Sequence, residues 1–237
     1  MQPFDPTFAL TLAELTQAAY DFSRDKTISL PDGWTLRSNI IVDLSVADAY
    51  AEAQALIAME NDNWGISAVN GDVGVIALRG TETPHQWLID FDAVASMTAE
   101  TVFPLAGKYK LHRGFYGVFQ TIRASIAAAR ADLLGVAAVK RLVITGHSLG
   151  AALALIAGAA LGCETWTFAG PRVFASAFPF DCYRIVNCWD IVPHVPLPPL
   201  YNHKGLEKKI DGGFNLGFLA THGLVSAYIP GIKKLCA

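Results

Sequence analysis

The pentapeptide Gly146-His147-Ser148-Leu149-Gly150 constrains this chain more than any other feature, because of what flanks it. The apolar run Leu142-Val143-Ile144-Thr145 leads in, and an Ala-rich apolar run from Ala151 to Leu161 leads out. A buried strand followed at once by a helix leaves only a sharp turn for the serine. Such a turn needs residues without bulky side chains two before and two after its apex, and Gly146 and Gly150 meet that need. It lifts the hydroxyl above the sheet beside a helix N-terminus, while Ala151 and Ala152 let the helix pack close. G-x-S-x-G alone is a weak signal, and the strand before it and helix after it sharpen it into a candidate nucleophile elbow. His147, beside the serine, reads as a packing residue or as one that supports the catalytic groups from behind.

The flanking pattern sets the fold class. Residues 8–22 and 46–60 are rich in helix formers and are expected to cover a sheet. The segments ISAV and VGVIAL flank Asn70-Gly71, a dipeptide suited to a two-residue turn, so a hairpin is expected over 66–78. Phe115, Val118, Phe119, Ile122, Ile126 and Leu133 fall at helical spacing ahead of the strand at 142–145. A helix at 149–160 and strands near 165–168 and 183–187 follow. This alternation predicts an α/β chain with a mostly parallel central sheet, helices on both faces and antiparallel pieces at the edge. The length of 237 residues fits one domain over 1–237, and 52% apolar against 16% charged residues suits a large buried sheet.

Composition also excludes functions. A net charge of −3 provides no cationic field for nucleic acid or an anionic membrane. The run from Ala151 to Leu161 is too short to span a bilayer. The opening MQPFDPTFAL lacks the basic and apolar regions of a secretory signal, so a cytosolic product or a mature secreted form is expected. Cys163, Cys182, Cys188 and Cys236 show no C-x-x-C spacing, so no metal site, cofactor or redox pair is expected and free thiols are the default. Cys182 and Cys188 bracket a strand that holds them about 20 Å apart, beyond disulfide reach. A monomer is expected.

A serine nucleophile needs a base and an acid, and in this fold the acid sits at the C-terminal end of a later strand, followed in sequence by a histidine. Asp190 fits, just beyond the strand YRIVN. Asp181 lies at the opposite end of that strand, and Asp211 before Gly212 reads as a turn residue. Of six histidines, only His194, His203 and His222 follow Asp190. His194 is too close to Asp190 to reach Ser148. His222 follows a glycine-rich loop and begins an apolar segment, GLVSAYI, that Pro230 is expected to terminate; it is favoured over His203, which reads as a strand or turn residue. His85 and His112 precede the serine and read as ordinary hydrogen-bonded histidines. The chemistry predicted is attack by Ser148 with His222 as base and Asp190 orienting it, through an acyl-enzyme.

Five separated motifs then agree in order: Leu78-Arg79-Gly80-Thr81 ahead of a Trp-rich segment, Leu111-His112-Arg113-Gly114-Phe115, the LVITGHSLGAALA elbow, TFAGPRV at 167–173 and RIVNCWDIVPHVP at 184–196. Together they resemble the fungal-type, or class 3, lipases of the α/β-hydrolase superfamily. The resemblance implies Thr81 and Leu149 as oxyanion-hole donors, Asp190 as the acid and His222 as the base, and it implies carboxylic ester hydrolysis of acylglycerols or other aliphatic esters. Ala220-Thr221 stands before His222 where members of that family often carry Asp or another polar residue.

The resemblance also places a lid just after the oxyanion residue, over HQWLIDF at 85–91, beginning at His85. Trp87, Leu88 and Phe91 share one face of a short helix there, and moving that face into water costs several kcal/mol, roughly 1.5–3 per side chain, unless lipid or substrate receives it. Transient contact with a lipid interface is therefore expected, while the alternative is an ordinary helix fixed on the core. Residues 94–107 and 193–200 are candidates for an apolar acyl groove. Competing readings are an acyltransferase on the same triad, a phospholipase or feruloyl-esterase type of specificity, and a catalytically inactive lipid-binding protein; intact candidates at every triad position argue against the last.

Overall fold

The computed structural model describes residues 2–25, 27–47, 50, 62–81, 98–103, 107–175, 182–203, 205–214 and 217–237. Helix α1 (Pro6–Ser23) starts where the Asp5 carboxylate accepts the Thr7 N–H at 2.8 Å and where Pro6 occupies a first-turn position that needs no amide hydrogen. Strand β1 (Thr35–Ile41) and a single turn of helix, α2 (Leu44–Ala47), follow, then the hairpin β2 (Asn63–Asn70) and β3 (Val73–Leu78). The two-residue loop of that hairpin is Gly71-Asp72, with Gly71 at φ +55°, so Asn70 closes the strand instead of entering the turn. This corrects the expected turn by one residue. The helix expected over 46–60 lies almost wholly outside the described residues.

A separate antiparallel pair, β4 (Thr98–Phe103) and β5 (Gly107–His112), precedes the long helix α3 (Arg113–Gly135). The second half of the chain continues as expected with β6 (Arg141–His147), α4 (Leu149–Leu161), β7 (Glu164–Phe168) and β8 (Cys182–Asn187), and adds β9 (Leu206–Ile210), a strand that the residue pattern does not predict. The chain closes with α5 (Gly217–His222), a π-helical turn at Leu224–Tyr228, and α6 (Ile229–Cys236).

The seven-stranded sheet has the order β1-β2-β3-β6-β7-β8-β9. It is antiparallel from β1 to β3 and parallel from β3 to β9. Both faces are covered, so the inner strands are apolar on both sides: in β3, Val75 and Ala77 face α1, while Ile76 and Leu78 face α3 and α4. One core packs α1 and the C-terminal helices onto Trp166, Phe168, Tyr183 and Ile185. The other packs α3 and α4 beneath the opposite face. Every residue from Leu149 to Ala159 is buried, which is why that run carries no polar stripe.

No disulfide occurs among the described residues: Cys163 and Cys182 are buried, and Cys188 and Cys236 are exposed. Among the described residues, no helix is long and apolar enough to cross a membrane, and no cluster of potential metal ligands occurs.

Candidate active site

The parallel strands all point their C-terminal ends to one edge, and the site lies there. Ser148 caps α4 at the end of β6 with φ +58° and ψ −124°, a conformation that L-residues rarely adopt. Sterics enforce the bend. A Cβ on Gly146 would lie 2.2 Å from the Gly150 carbonyl oxygen, and one on Gly150 would lie 2.3 Å from that of Arg79 and 2.4 Å from that of Leu78. The Ser148 N–H donates to the Phe168 carbonyl at 3.0 Å, fixing the apex to the neighbouring strand.

The structure brings Ser148, His222 and Asp190 together. Ser148 Oγ is 2.9 Å from His222 Nε2, and His222 Nδ1 is 2.9 Å from Asp190 Oδ2. All three are buried, with Ser148 and His222 each 1% exposed. A carboxylate can only accept, so Nδ1 carries the imidazole proton and Nε2 is left to accept the serine hydroxyl. Asp190 Oδ1 accepts the Val192 N–H at 3.0 Å, at the start of a 3₁₀ turn that follows β8.

Two contributors escaped the sequence reading. Tyr228 O–H donates to Asp190 Oδ2 at 2.7 Å, and burial together with the Asp190 charge holds its hydroxyl well above the usual phenol range, so it stays a donor. Asn187 ties the acid's strand to the base's loop: its Nδ2 donates to the Thr221 carbonyl at 2.8 Å and its Oδ1 accepts the Gly212 N–H at 2.9 Å. The π-helical turn explains how Tyr228 reaches the same carboxylate oxygen as His222. Its wider loop, with the Tyr228 N–H donating to the Gly223 carbonyl at 3.3 Å, swings the phenol back over the site. His222 is the last residue of the short α5, and the apolar segment after it forms the π-helical turn and runs into α6. Pro230 does not terminate the segment; it is the second residue of α6, where its missing N–H costs nothing.

On the oxyanion side, Leu149 is the first residue of α4, so its amide has no acceptor inside the helix. Thr81 is buried, and its hydroxyl has no hydrogen-bond partner among the described residues. The loop that carries Thr81 is held by the fully buried Arg79, whose Nε donates to the Asn63 carbonyl at 2.6 Å, whose Nη1 donates to that of Gly80 at 2.8 Å and whose guanidinium stacks on Trp64. The first part of that motif thus has a structural task that the residue pattern did not reveal.

The competing residues go elsewhere. His203 Nε2 donates to the Pro193 carbonyl, and burial, with Arg184 and Arg172 nearby, pushes its imidazole down to about 3. Asp211 accepts from Trp189 Nε1 and the Gly213 N–H, as a turn residue does. His112 packs between the rings of Phe115 and Tyr201. The lid candidates His85, Trp87, Leu88 and Phe91 lie outside the described residues, as does Asp181.

A family model described as lipase (class 3) matches residues 75–199, more than half of the chain. The chain belongs to the class 3 lipase family. A putative lipase of Saccharomyces cerevisiae is 28% identical over 181 residues, which cover 59% of this chain and 55% of the yeast protein. A phospholipase A1 of the II type from Oryza sativa subsp. japonica is 30% identical over 202 residues, covering 64% of this chain and 49% of the rice protein. The chain spans about half the length of the curated relatives it matches. The crystal structure of a lipase from Rhizopus microsporus var. chinensis superposes with a TM-score of 0.64 at 22% identity, covering 89% of this chain and 76% of that one. That likeness establishes the α/β-hydrolase fold.

Proposed function

We propose that the protein is a serine carboxylic ester hydrolase that cleaves acyl lipids through an acyl-enzyme on Ser148. The observation that carries this reading is the unbroken line from Ser148 Oγ through His222 to Asp190, at 2.9 Å and 2.9 Å. As Oγ attacks the ester carbonyl, His222 Nε2 takes its proton, and Asp190 stabilises the resulting imidazolium. The Leu149 and Thr81 amides, with the Thr81 hydroxyl, meet the charge that develops on the carbonyl oxygen, where losing one donor costs about 10²- to 10³-fold. The intermediate collapses, the leaving alcohol takes the proton from His222, and water repeats the sequence to release the acid. Asp190 holds its place because Tyr228 and the Val192 amide share its lone pairs with His222.

Ser148 is only 1% exposed, so the site has to open for a lipid ester to reach Oγ. A lid over 85–91, opened by a lipid interface, is the part of this reading that the resemblance motivates. Rates measured across the solubility limit of a glycerol ester test it, since a rate that rises smoothly through the limit removes the lid's role. A second reading concerns the leaving group: several relatives from Oryza sativa and Arabidopsis thaliana carry the name phospholipase A1, which favours a diacyl phospholipid as the ester.

The decisive experiment is a chain-length series of nitrophenyl, glycerol and phospholipid esters with wild type, Ser148→Ala, His222→Ala and His203→Ala. Ser148→Ala and His222→Ala are expected to lose several orders of magnitude in kcat, and His203→Ala to stay within about tenfold. Reversal of the two histidines, or indifference of every ester to wild-type protein, removes the assignment.

A further inference from the structure

Acyl transfer requires three separately encoded pieces to stay in register: the loop at Gly80–Thr81, the elbow and His222. One buried chain of hydrogen bonds joins them. The Gly80 N–H lies 2.8 Å from the Tyr20 hydroxyl, that hydroxyl lies 2.9 Å from His147 Nδ1, and His147 Nε2 lies 2.8 Å from the His222 carbonyl oxygen. The two ends dictate the direction of every bond between them. An amide can only donate and a carbonyl can only accept, so His147 carries its proton on Nε2 and leaves Nδ1 bare. The Tyr20 hydroxyl must then donate to Nδ1 while its oxygen accepts from Gly80.

Burial keeps this order rigid. Tyr20 is 6%, His147 4% and His222 1% exposed. Desolvation, with the neighbouring His222, holds the His147 imidazole well below its usual range, which preserves the neutral ring with one donor and one acceptor. Gly80 has no spare room: a Cβ there would lie 2.7 Å from the Tyr20 hydroxyl, 2.8 Å from the His147 carbonyl oxygen and 2.9 Å from Ser148 Cβ. The backbone that precedes Thr81 is pressed directly onto the nucleophile's turn.

We propose that Tyr20, acting through His147, is a positioning residue for ester hydrolysis, setting the distance between the Gly80–Thr81 loop and the Ser148–His222 pair. The proposal rests on the reading of Ser148 as nucleophile. It extends the working site to α1, outside the 75–199 segment that the family model covers. Tyr20 acts by holding a donor loop against the elbow.

Tyr20→Phe keeps the ring and deletes the hydroxyl. Thr16→Val is its control, since Thr16 is a buried hydroxyl on the same helix that donates to the Leu12 carbonyl, within its own helix. On a soluble nitrophenyl ester, Tyr20→Phe is expected to lower kcat on the order of tenfold to a hundredfold, with KM within about twofold. It should weaken a trifluoromethyl ketone, which forms a tetrahedral adduct, by the same factor. Thr16→Val is expected to leave all three values near wild type even where it lowers the melting temperature.

Nitrogen-15 NMR of the wild-type protein is expected to show His147 as the Nε2–H tautomer with no titration between about pH 5 and 9. Wild-type values of kcat and ketone affinity in Tyr20→Phe, or a proton on His147 Nδ1, would overturn the proposal; the NMR result decides it even where that variant does not fold. A wild-type protein that hydrolyses no ester and whose Ser148 ignores a fluorophosphonate overturns the enzymatic reading instead, a result distinct from either of these.

Discussion

The two halves of the site are held in place by different physics. The elbow from Gly146 to Gly150 is local: five consecutive residues, a strand before and a buried helix after, with carbonyl oxygens so close that only glycine fits on either side. The acid and base are not local. Asp190, His222 and Tyr228 come from a loop, a short helix and a π-helical turn, and they converge through hydrogen bonds among buried polar groups. Steric exclusion tolerates no substitution but needs few residues. A polar network spreads the task over many residues, so each loss is graded.

That contrast can be broken at either end. Gly150→Ala has the largest expected effect: with backbone oxygens at 2.3 and 2.4 Å, no side-chain rearrangement relieves the clash, and the variant should lose both its cooperative thermal transition and all ester hydrolysis. A folded, active Gly150→Ala protein would show that the elbow is not sterically set. Asp190→Asn comes next. Kinetics on a soluble ester should show kcat down by about 10³- to 10⁴-fold, because an amide cannot hold His222 in the tautomer that leaves Nε2 free.

Tyr228→Phe removes one of three donors to the same carboxylate and should cost about tenfold in kcat, as hydrogen bonds to charged groups are worth about 1.5–3 kcal/mol. An effect as large as that of Asp190→Asn would mean the network is not graded.

The smallest effect on activity belongs to His203→Gln, expected within about threefold, but it should alter the pH dependence of stability. The folded His203 has its pKa lowered from 6.5 to about 3, so between those values the unfolded chain binds a proton that the folded one refuses. Its contribution is therefore complete above 6.5 and lost as the pH falls toward 3. Urea titrations from pH 7 to about 4 should give a shallower decline for His203→Gln than for wild type.

The same contrast governs what could be read from residues alone. The elbow, β6, β7 and the helices around them were legible because their signal is local: apolar runs, small residues and glycines at fixed offsets. Asp190 was legible from its place beyond β8. Strands β1 and β9 were not foreseen, because edge strands carry mixed residues such as Thr35–Ile41 and Leu206–Ile210 and lack the apolar run of an inner strand. Tyr20 reads as one more core aromatic on α1, and its partner His147 stands 127 residues away. The π-helical turn has no compositional signature, so Pro230 reads as a stop although it lies in the first turn of the final helix.

The backbone angles at Ser148 carry a final consequence. A side chain held at φ +58° and ψ −124° costs on the order of 1–3 kcal/mol that glycine would not incur. Exchanging the serine for glycine should therefore yield a dead protein that melts higher than the living one. The working molecule is obliged to sit below its own thermal ceiling at the one atom it cannot give up, and the hardened, silent form would be the natural vessel for capturing uncleaved substrate.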